Sequence, residues 1–473
     1  MKKIVGTLIF MVLTYSVFAQ NITGDWYGTL NIPGGKTLHV VFHITKSGDT
    51  YTTTFDSPDQ GAAGLATDKT TVAGDKLTIE ASKFNFTYNG VFLPDSSKIN
   101  GTLSQGGGSG ALNFTHDKPM TATAPVARVV RPQDPKDFPY EQEEVTFTNP
   151  KAGNALAGTI TMPSYGRASK IVVLITGSGP QDRNEEIIQF NHRPFLVWSD
   201  WLTRQGIAVL RYDDRGIGKS TGIFGTATSA DFADDAEAAI TYIQSRADLK
   251  NLKIGLMGHS EGGMIAPVVA SRNKAVKFVV LLAGPGVPID QLMLRQAADQ
   301  MRVGGASPEA IQRSAATNKK IYSLIIQNPT MPSAQLKQQV DTLMYRELRA
   351  NSRADLKTQD IDAVLKQTPV LTSPWYRYFI AFRPADYLTK VKCPVLALDG
   401  TLDMQVNSEA NLAGIRESLE KGGNRNFQTV PMPGLNHMFQ KAATGSVEEY
   451  SQISETVDPS ALQLVSGWIN HLP

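Results

Sequence analysis

Five uninterrupted apolar runs constrain this chain more than any other feature: Ile171 to Ile175, Ile207 to Leu210, Ile254 to Met257, Phe278 to Leu282 and Val395 to Leu398. A strand that is apolar at every position must be covered on both faces, which is the situation of parallel strands layered between helices. The intervals between the runs carry helical spacing. Phe232, Ala236, Ile240 and Ile243 recur on one face behind Ser229, a residue type suited to an N-cap, with Asp234 and Asp235 early in the helix. Strand alternating with helix from residue 143 to 473 predicts a doubly wound α/β domain. The alternation is interrupted over 288–385, where Leu336, Val340, Leu343, Met344 and Leu348 mark an amphipathic helix and so predict a helical insertion. Between Pro288 and Pro384 the insertion holds 13 basic and 8 acidic residues, an excess that either biases the site toward anions or decorates a solvated surface.

The first quarter of the chain has a different character. No Arg precedes Arg128, and alternating stretches such as Leu38 to Ile44 are punctuated by Ser47-Gly48-Asp49, Ala73-Gly74-Asp75 and Tyr88-Asn89-Gly90. This spacing predicts a small all-β domain over 20–120, a meander, sandwich or barrel. Pro125, Pro132, Pro135 and Pro139 then predict an extended linker over 121–142. Ahead of the β-domain, Lys2-Lys3, an apolar run from Ile4 to Phe18 and the small-residue pattern ending at Ala19 predict a signal peptide over 1–19. The run is short for a membrane span, so the expected product is exported, periplasmic or secreted, with no stable membrane insertion after cleavage. Without Lys2 and Lys3, 44 basic residues balance 44 acidic ones, which gives no electrostatic case for a nucleic-acid partner. Cys393 is the sole cysteine, so no intrachain disulfide and no cysteine-built metal cluster can form. His39 and His43 share a strand face without a third ligand; no metal site is expected there.

Chemistry concentrates in Gly258-His259-Ser260-Glu261-Gly262, a Gly-x-Ser-x-Gly pattern directly after an apolar strand and before a helix-compatible stretch. That context predicts a sharp strand-to-helix turn that lifts the Ser260 hydroxyl above the sheet at a helix N-terminus. A serine hydroxyl needs a base in hydrogen-bond reach and an acid to orient the base. The expected chain order is Ser, then Asp or Glu, then His. Asp403 follows the Val395 to Leu398 run, with Asp399 the rival acid at the strand's end, and His437 follows the strand-like Phe427 to Val430. Two backbone donors should hold an oxyanion: the Glu261 N–H and one from Thr176-Gly177-Ser178-Gly179-Pro180, with Ser178 favoured and Gly177 or Gly179 as alternatives. Gly177, Gly179 and His192 are expected beside the substrate, because their loops should border the site. His116 and His471 are expected to be exposed.

Two phosphate-binding patterns fail on inspection. Gly218-Lys219-Ser220 ends like a Walker A loop, but position 213 is Asp, and Gly177-x-Gly179 meets Asp182 where a dinucleotide fingerprint needs glycine. The charges of Arg211 to Ser220 are expected to pair with one another in a structural turn.

With these residues in hand, 143–473 resembles the α/β-hydrolase superfamily, near its secreted serine esterase and prolyl-aminopeptidase-like branch. The matching pieces are Gly177 to Arg183, Tyr212 to Ser220, Gly258 to Gly263, the Gly400 to Asp403 turn and Gly434-x-x-His437. The resemblance implies an eight-stranded, mostly parallel sheet, a helical cap inserted after the sixth strand, no cofactor, and acyl-enzyme chemistry. The expected activity is hydrolysis of a small-molecule carboxylic ester by Ser260, His437 and Asp403. A serine peptidase on short peptides would use the same residues, with Glu261, Asp341 or Glu347 receiving the substrate amine. A third reading is an envelope glycan-binding protein whose β-domain is the functional part and whose hydrolase domain is vestigial.

Overall fold

Period-two alternation of apolar and polar side chains builds the N-terminal domain. The computed structural model describes residues 22–31, 37–60, 62–94, 97–105, 108–117, 130–164, 168–351, 361, 364–365 and 368–473; the expected signal segment and residues 121–129 of the expected linker lie outside them. Ten strands follow in order: β1 (Gly24–Asn31), β2 (Thr37–Ser47), β3 (Thr50–Ser57), β4 (Ala62–Ala66), β5 (Lys69–Ala73), β6 (Lys76–Ala81), β7 (Phe86–Leu93), β8 (Lys98–Gln105), β9 (Gly108–Ala111) and β10 (Phe114–Thr115). All pair antiparallel with their neighbours, and because β10 bonds both β1 and β8, the sheet closes into a barrel. In β7, Phe86, Tyr88, Gly90 and Phe92 point inward while Asn89, Val91 and Leu93 are exposed. Trp26, Phe42, Tyr88 and Phe114 fill the interior, Phe42 stacked on Phe114 at 4.4 Å between centroids, so the lumen is a packed core. On the outside, His39 bonds Asp59, and His43 bridges Asp25 and Asp56. His116 and His471 are exposed, as expected.

The apolar runs form the second sheet: β11 (Tyr140–Thr148), β12 (Ala155–Pro163), β13 (Lys170–Ile175), β14 (Ala208–Tyr212), β15 (Lys253–His259), β16 (Val276–Leu282), β17 (Val395–Gly400) and β18 (Phe427–Met432). Their spatial order is β11-β12-β14-β13-β15-β16-β17-β18, antiparallel at β11–β12 and β12–β14 and parallel from β14 onward. Helices cover both faces. On one, α1 (Pro194–Arg204) and, near the C-terminus, residues such as Leu462, Val465 and Ile469 pack against Val172, Met257 and Leu396. On the other lie α2 (Ser229–Ser245) and α3 (Glu261–Arg272). Between β16 and β17 come α4 (Ile289–Val303), α5 (Pro308–Gln327), α6 (Ser333–Asn351), α7 (Pro374–Ala381) and α8 (Ala385–Leu388), and after β17 comes α9 (Ser408–Lys421). The last helix, α10, is Pro459–His471. Leu336 and Val340 of α6, Ile321 of α5 and Phe379 of α7 join the same core cluster as Val279 and Leu281 of the sheet, so the insertion is continuous with the domain's interior.

Three boundaries differ from expectation. The N-cap of α2 is Thr228, not Ser229: the Thr228 N–H and hydroxyl both donate to Asp231, at 2.8 and 2.7 Å, which leaves the Ser229 hydroxyl free to turn inward. The first strand of the α/β domain begins at Tyr140 rather than near 143. The described end of the linker is not a free spacer, because Gln133 exchanges hydrogen bonds with Thr456 and Val457.

Phe278 is buried, lies edge-on to Trp468 at 6.2 Å and fills the space above Gly255, where even a Cβ would meet its ring at 2.1 Å. Phe278→Ala is expected to cost about 3–5 kcal/mol, read as a lower urea midpoint for the α/β domain.

Candidate active site

The sequence Gly258 to Gly262 is compressed into the space between two strands and a helix. A Cβ on Gly258 would come within 2.0 Å of the Gly262 carbonyl, and one on Gly262 within 2.1 Å of the Ile175 carbonyl, so only glycine permits this approach. Between them Ser260 sits at φ 53° and ψ −115°, a conformation that costs on the order of 1–3 kcal/mol for a non-glycine residue. Its side chain stands at the junction of β15 and α3. Glu261 is the first residue of α3, and first-turn amides have no acceptor inside their own helix.

Asp403 follows β17 and His437 follows β18 on adjacent parallel strands. His437 Nδ1 donates to Asp403 Oδ2 at 2.6 Å, and both side chains are buried. The other Asp403 oxygen accepts the N–H groups of Gln405 and Val406 at 2.7 and 2.8 Å, so the carboxylate is fully satisfied in one orientation. Asp399 lies inside β17. Burial first, and then the neighbouring Asp403 charge, push its pKa well up. The His437 loop is held from within by Asn436, whose Oδ1 accepts from Met438 and Gln440 at 3.0 and 2.9 Å. Ser260 and His437 line the same cavity.

Two residues beside this set carry a role that the spacing of motifs did not reveal. Glu185 accepts the Gly177 N–H at 2.7 Å and His259 Nδ1 at 2.9 Å on one oxygen. His259 Nε2 lies 3.0 Å from the His437 carbonyl. A carboxylate and a carbonyl can only accept, so both contacts require a doubly protonated ring. Burial works against that charge, but the Glu185 charge and hydrogen bond outweigh it and raise the His259 pKa above the ordinary value. His259 thus joins the nucleophile's strand, the loop before α1 and the backbone of His437. Its one sequence signal was adjacency to Ser260; Glu185 had none.

The loop after β13 is fixed by charges that were expected to pair among themselves. Asp213 instead binds Arg183, at 3.0 and 2.9 Å, and Asp214 accepts Thr176 Oγ1 at 2.8 Å and the Gln181 N–H at 3.0 Å. Arg215 reaches Asp235 on α2 at 2.6 Å. Segment 211–220 therefore pairs outward, because the buried ends of β13 and α2 present the complementary groups. Ser178 and Glu261 line the cavity with Ser260. Gly177 also lines it, but its N–H is committed to Glu185, which removes it as an oxyanion donor. Gly179 lies outside the lining; its φ of 97° makes it the turn residue of the loop. His192 is likewise not at the cavity: it is buried with Nε2 3.0 Å from the Thr456 carbonyl, and burial lowers its pKa to about 3.

The cavity measures about 380 Å³. Leu292 and Met293 of α4 and Trp375 and Phe379 of α7 form one wall, and Ile187, Phe190, Val406 and Tyr450 face them. Trp375 Nε1 and Ser229 Oγ donate to one Glu261 oxygen at 2.9 and 2.6 Å. Among the described residues, neither Lys nor Arg lines it. Several described cations of the insertion are paired instead, Arg295 and Arg302 with Asp299, Lys320 with Glu347, Lys337 with Asp341 and Arg383 with Asp290.

An eight-stranded, mostly parallel sheet covered by helices on both faces, with a serine elbow after β15 and a His–Asp pair on the loops after β18 and β17, is the arrangement of an α/β-hydrolase. The family model for serine aminopeptidase, S33, matches residues 195–441, and the chain belongs to that family. Esterase EstD of Thermotoga maritima is 32% identical over 177 residues, 37% of this chain and 39% of the esterase. The uncharacterized protein YfhR of Escherichia coli K12 is 31% identical over 145 residues, 30% of this chain and 47% of that protein. The chain therefore spans less than half the length of these curated relatives. Among solved structures, the Pyrococcus furiosus esterase Pf2001 is 17% identical with a TM-score of 0.42, over 72% of this chain and 96% of the esterase.

The His259–Glu185 pair yields a pH dependence. His259 has a raised folded pKa, so its contribution to stability is complete below its unfolded value of about 6.5 and is lost as pH rises through the folded value. Glu185→Gln removes the charge that raises it. The melting temperature of E185Q should fall below the wild type most at pH 6 and progressively less toward pH 9; a deficit that is equal at both would refute the charged pairing.

Proposed function

We propose that this protein is a serine carboxylesterase that cleaves neutral esters through an acyl-enzyme. The observation that carries the reading is the buried 2.6 Å bond from His437 to Asp403 in a cavity shared with the strained Ser260. In the proposed reaction Ser260 Oγ attacks the acyl carbon while His437 Nε2 takes its proton, and Asp403 stabilises the imidazolium that forms. The Ser178 and Glu261 N–H groups receive the oxyanion, each worth about 3 kcal/mol in the transition state. His437 returns the proton to the departing alcohol. It then activates water, which releases the acid and regenerates Ser260.

The apolar wall of Leu292, Met293, Trp375 and Phe379 suits an uncharged acyl or alkyl group. The helices of the insertion serve in this reading as the cap. The Lys2 to Ala19 segment supports an exported enzyme. An aminopeptidase reading draws on the family's description and on Glu261 at the cavity. Against it, Glu261 already accepts Ser229 and Trp375, and burial raises its pKa, which weakens it as a partner for an ammonium. Asp341 and Glu347 are engaged with Lys337 and Lys320 and do not line the cavity.

Ser260→Ala should lower kcat on p-nitrophenyl butyrate by about a millionfold and abolish labelling by a fluorophosphonate probe. Retained turnover would exclude Ser260 as nucleophile. Faster turnover of an aminoacyl anilide than of the butyrate ester would overturn the esterase assignment in favour of the peptidase.

A further inference from the structure

Arg131, in the linker ahead of the α/β domain, is buried and donates to no carboxylate among the described residues. Its guanidinium is spent on backbone carbonyls. Nε and Nη2 reach Phe190 O at 3.3 and 2.8 Å, Nη2 also reaches Tyr450 O at 3.1 Å, and Nη1 reaches Glu455 O at 3.0 Å as well as Ile453 O. Burying a cation with no carboxylate hydrogen-bonded to it is costly, the Asp134 charge nearby offsetting only part of this, and a planar fork of five donors can hold several fixed acceptors at once. Burial lowers its pKa to about 10, which leaves it charged at neutral pH.

The carbonyls belong to two segments that are far apart in sequence and meet on one side of the cavity. Phe190 and Tyr450 both line it, their rings edge to face at 6.2 Å. The first segment is also held from behind. Ile188 packs on the hydrophobic core of the N-terminal barrel, while Ile187 and Phe190, on either side, face the cavity. The loop therefore has barrel on one side and active site on the other.

We infer that Arg131, together with the barrel seat of Ile188, holds the Phe190 and Tyr450 segments together as one wall and thereby limits the size of ester that the cavity accepts. This rests on the esterase reading for its substrate but not for its geometry. Arg131 is a positioning residue: it lines no part of the cavity itself. Arg131 donates to neither His437 nor Asp403, so its loss should change selection by size more than reactivity at Ser260.

The test uses full-length protein with p-nitrophenyl esters from acetate to octanoate. In Arg131→Met the octanoate-to-butyrate ratio of kcat/KM should rise about tenfold over wild type, the order expected when a pocket stops discriminating a few methylenes. The change should appear in KM for the long ester, while the rate of fluorophosphonate labelling stays within about threefold. Arg131→Lys keeps the charge but not the fork, and should behave like the Met variant. An unchanged ratio in folded protein overturns the inference, as does a fall in labelling that matches the fall in kcat/KM. If Arg131→Met does not fold, Phe190→Ala trims the same wall with the clamp intact and must raise the same ratio; failure to do so also overturns it. If the wild type cleaves no ester in the series, the esterase reading fails by itself. Hydrogen exchange then decides the geometry: segments 187–192 and 447–457 must both exchange faster in the Arg131 variant, and protection equal to wild type refutes the clamp.

Discussion

Close contact between two glycines and the end of β13 is the constraint on which the rest of the site depends. With the Gly262 backbone against the Ile175 carbonyl and Gly258 against Gly262, the chain has no room to relax between β15 and α3. Ser260 is consequently held at a positive φ that it would not adopt alone. The same contact sets the N-terminus of α3 beside the loop after β13, so both expected oxyanion donors, at Ser178 and Glu261, approach from backbone that cannot retreat. Preorganised donors of this kind need no rearrangement when charge develops.

Around that rigid point, buried charges register the loops with one another. Arg183 with Asp213, Arg215 with Asp235 and Glu185 with His259 each join two segments that sheet hydrogen bonds leave free. A buried ion pair gives little net stability over an apolar packing of equal volume, because both partners lose water. Its contribution here is directional: a carboxylate accepting an arginine fork, or an imidazolium between a carboxylate and a carbonyl, admits few alternative arrangements.

Patterns that depend on neighbours in sequence were legible without coordinates. The five apolar runs became β13 to β17, the elbow followed from its glycines, and the positions of Asp403 and His437 after β17 and β18 were readable from the strands ahead of them. What escaped was set by partners far along the chain. Glu185 carries no local signal, since its role is a Gly177 amide and a His259 ring brought to it by the fold. The charges of 211–220 were assigned to one another because sequence shows only their adjacency, while Arg183 and Asp235 approach through tertiary packing. His192 was placed at the site by loop membership, and its burial against Thr456 comes from a segment 264 positions away.

Electrostatics around the proposed oxyanion deserves its own accounting, because two acidic side chains lie at this cavity. A carboxylate at Glu261 would oppose negative charge developing near its own N–H. Burial disfavours that ionised form and raises the pKa, although the Ser229, Trp375 and Ser178 side chains partly offset this by donating to it. Glu185 is matched by the protonated His259 at 2.9 Å, so the pair presents little net charge toward Ser260. In a cavity with low dielectric walls a unit charge is screened far less than in water, so this cancellation bears directly on the negative charge that the proposed reaction would develop near Ser260. The two acids can then serve structural ends, holding Trp375 of the insertion and the Gly177 backbone in place, without raising the barrier they border.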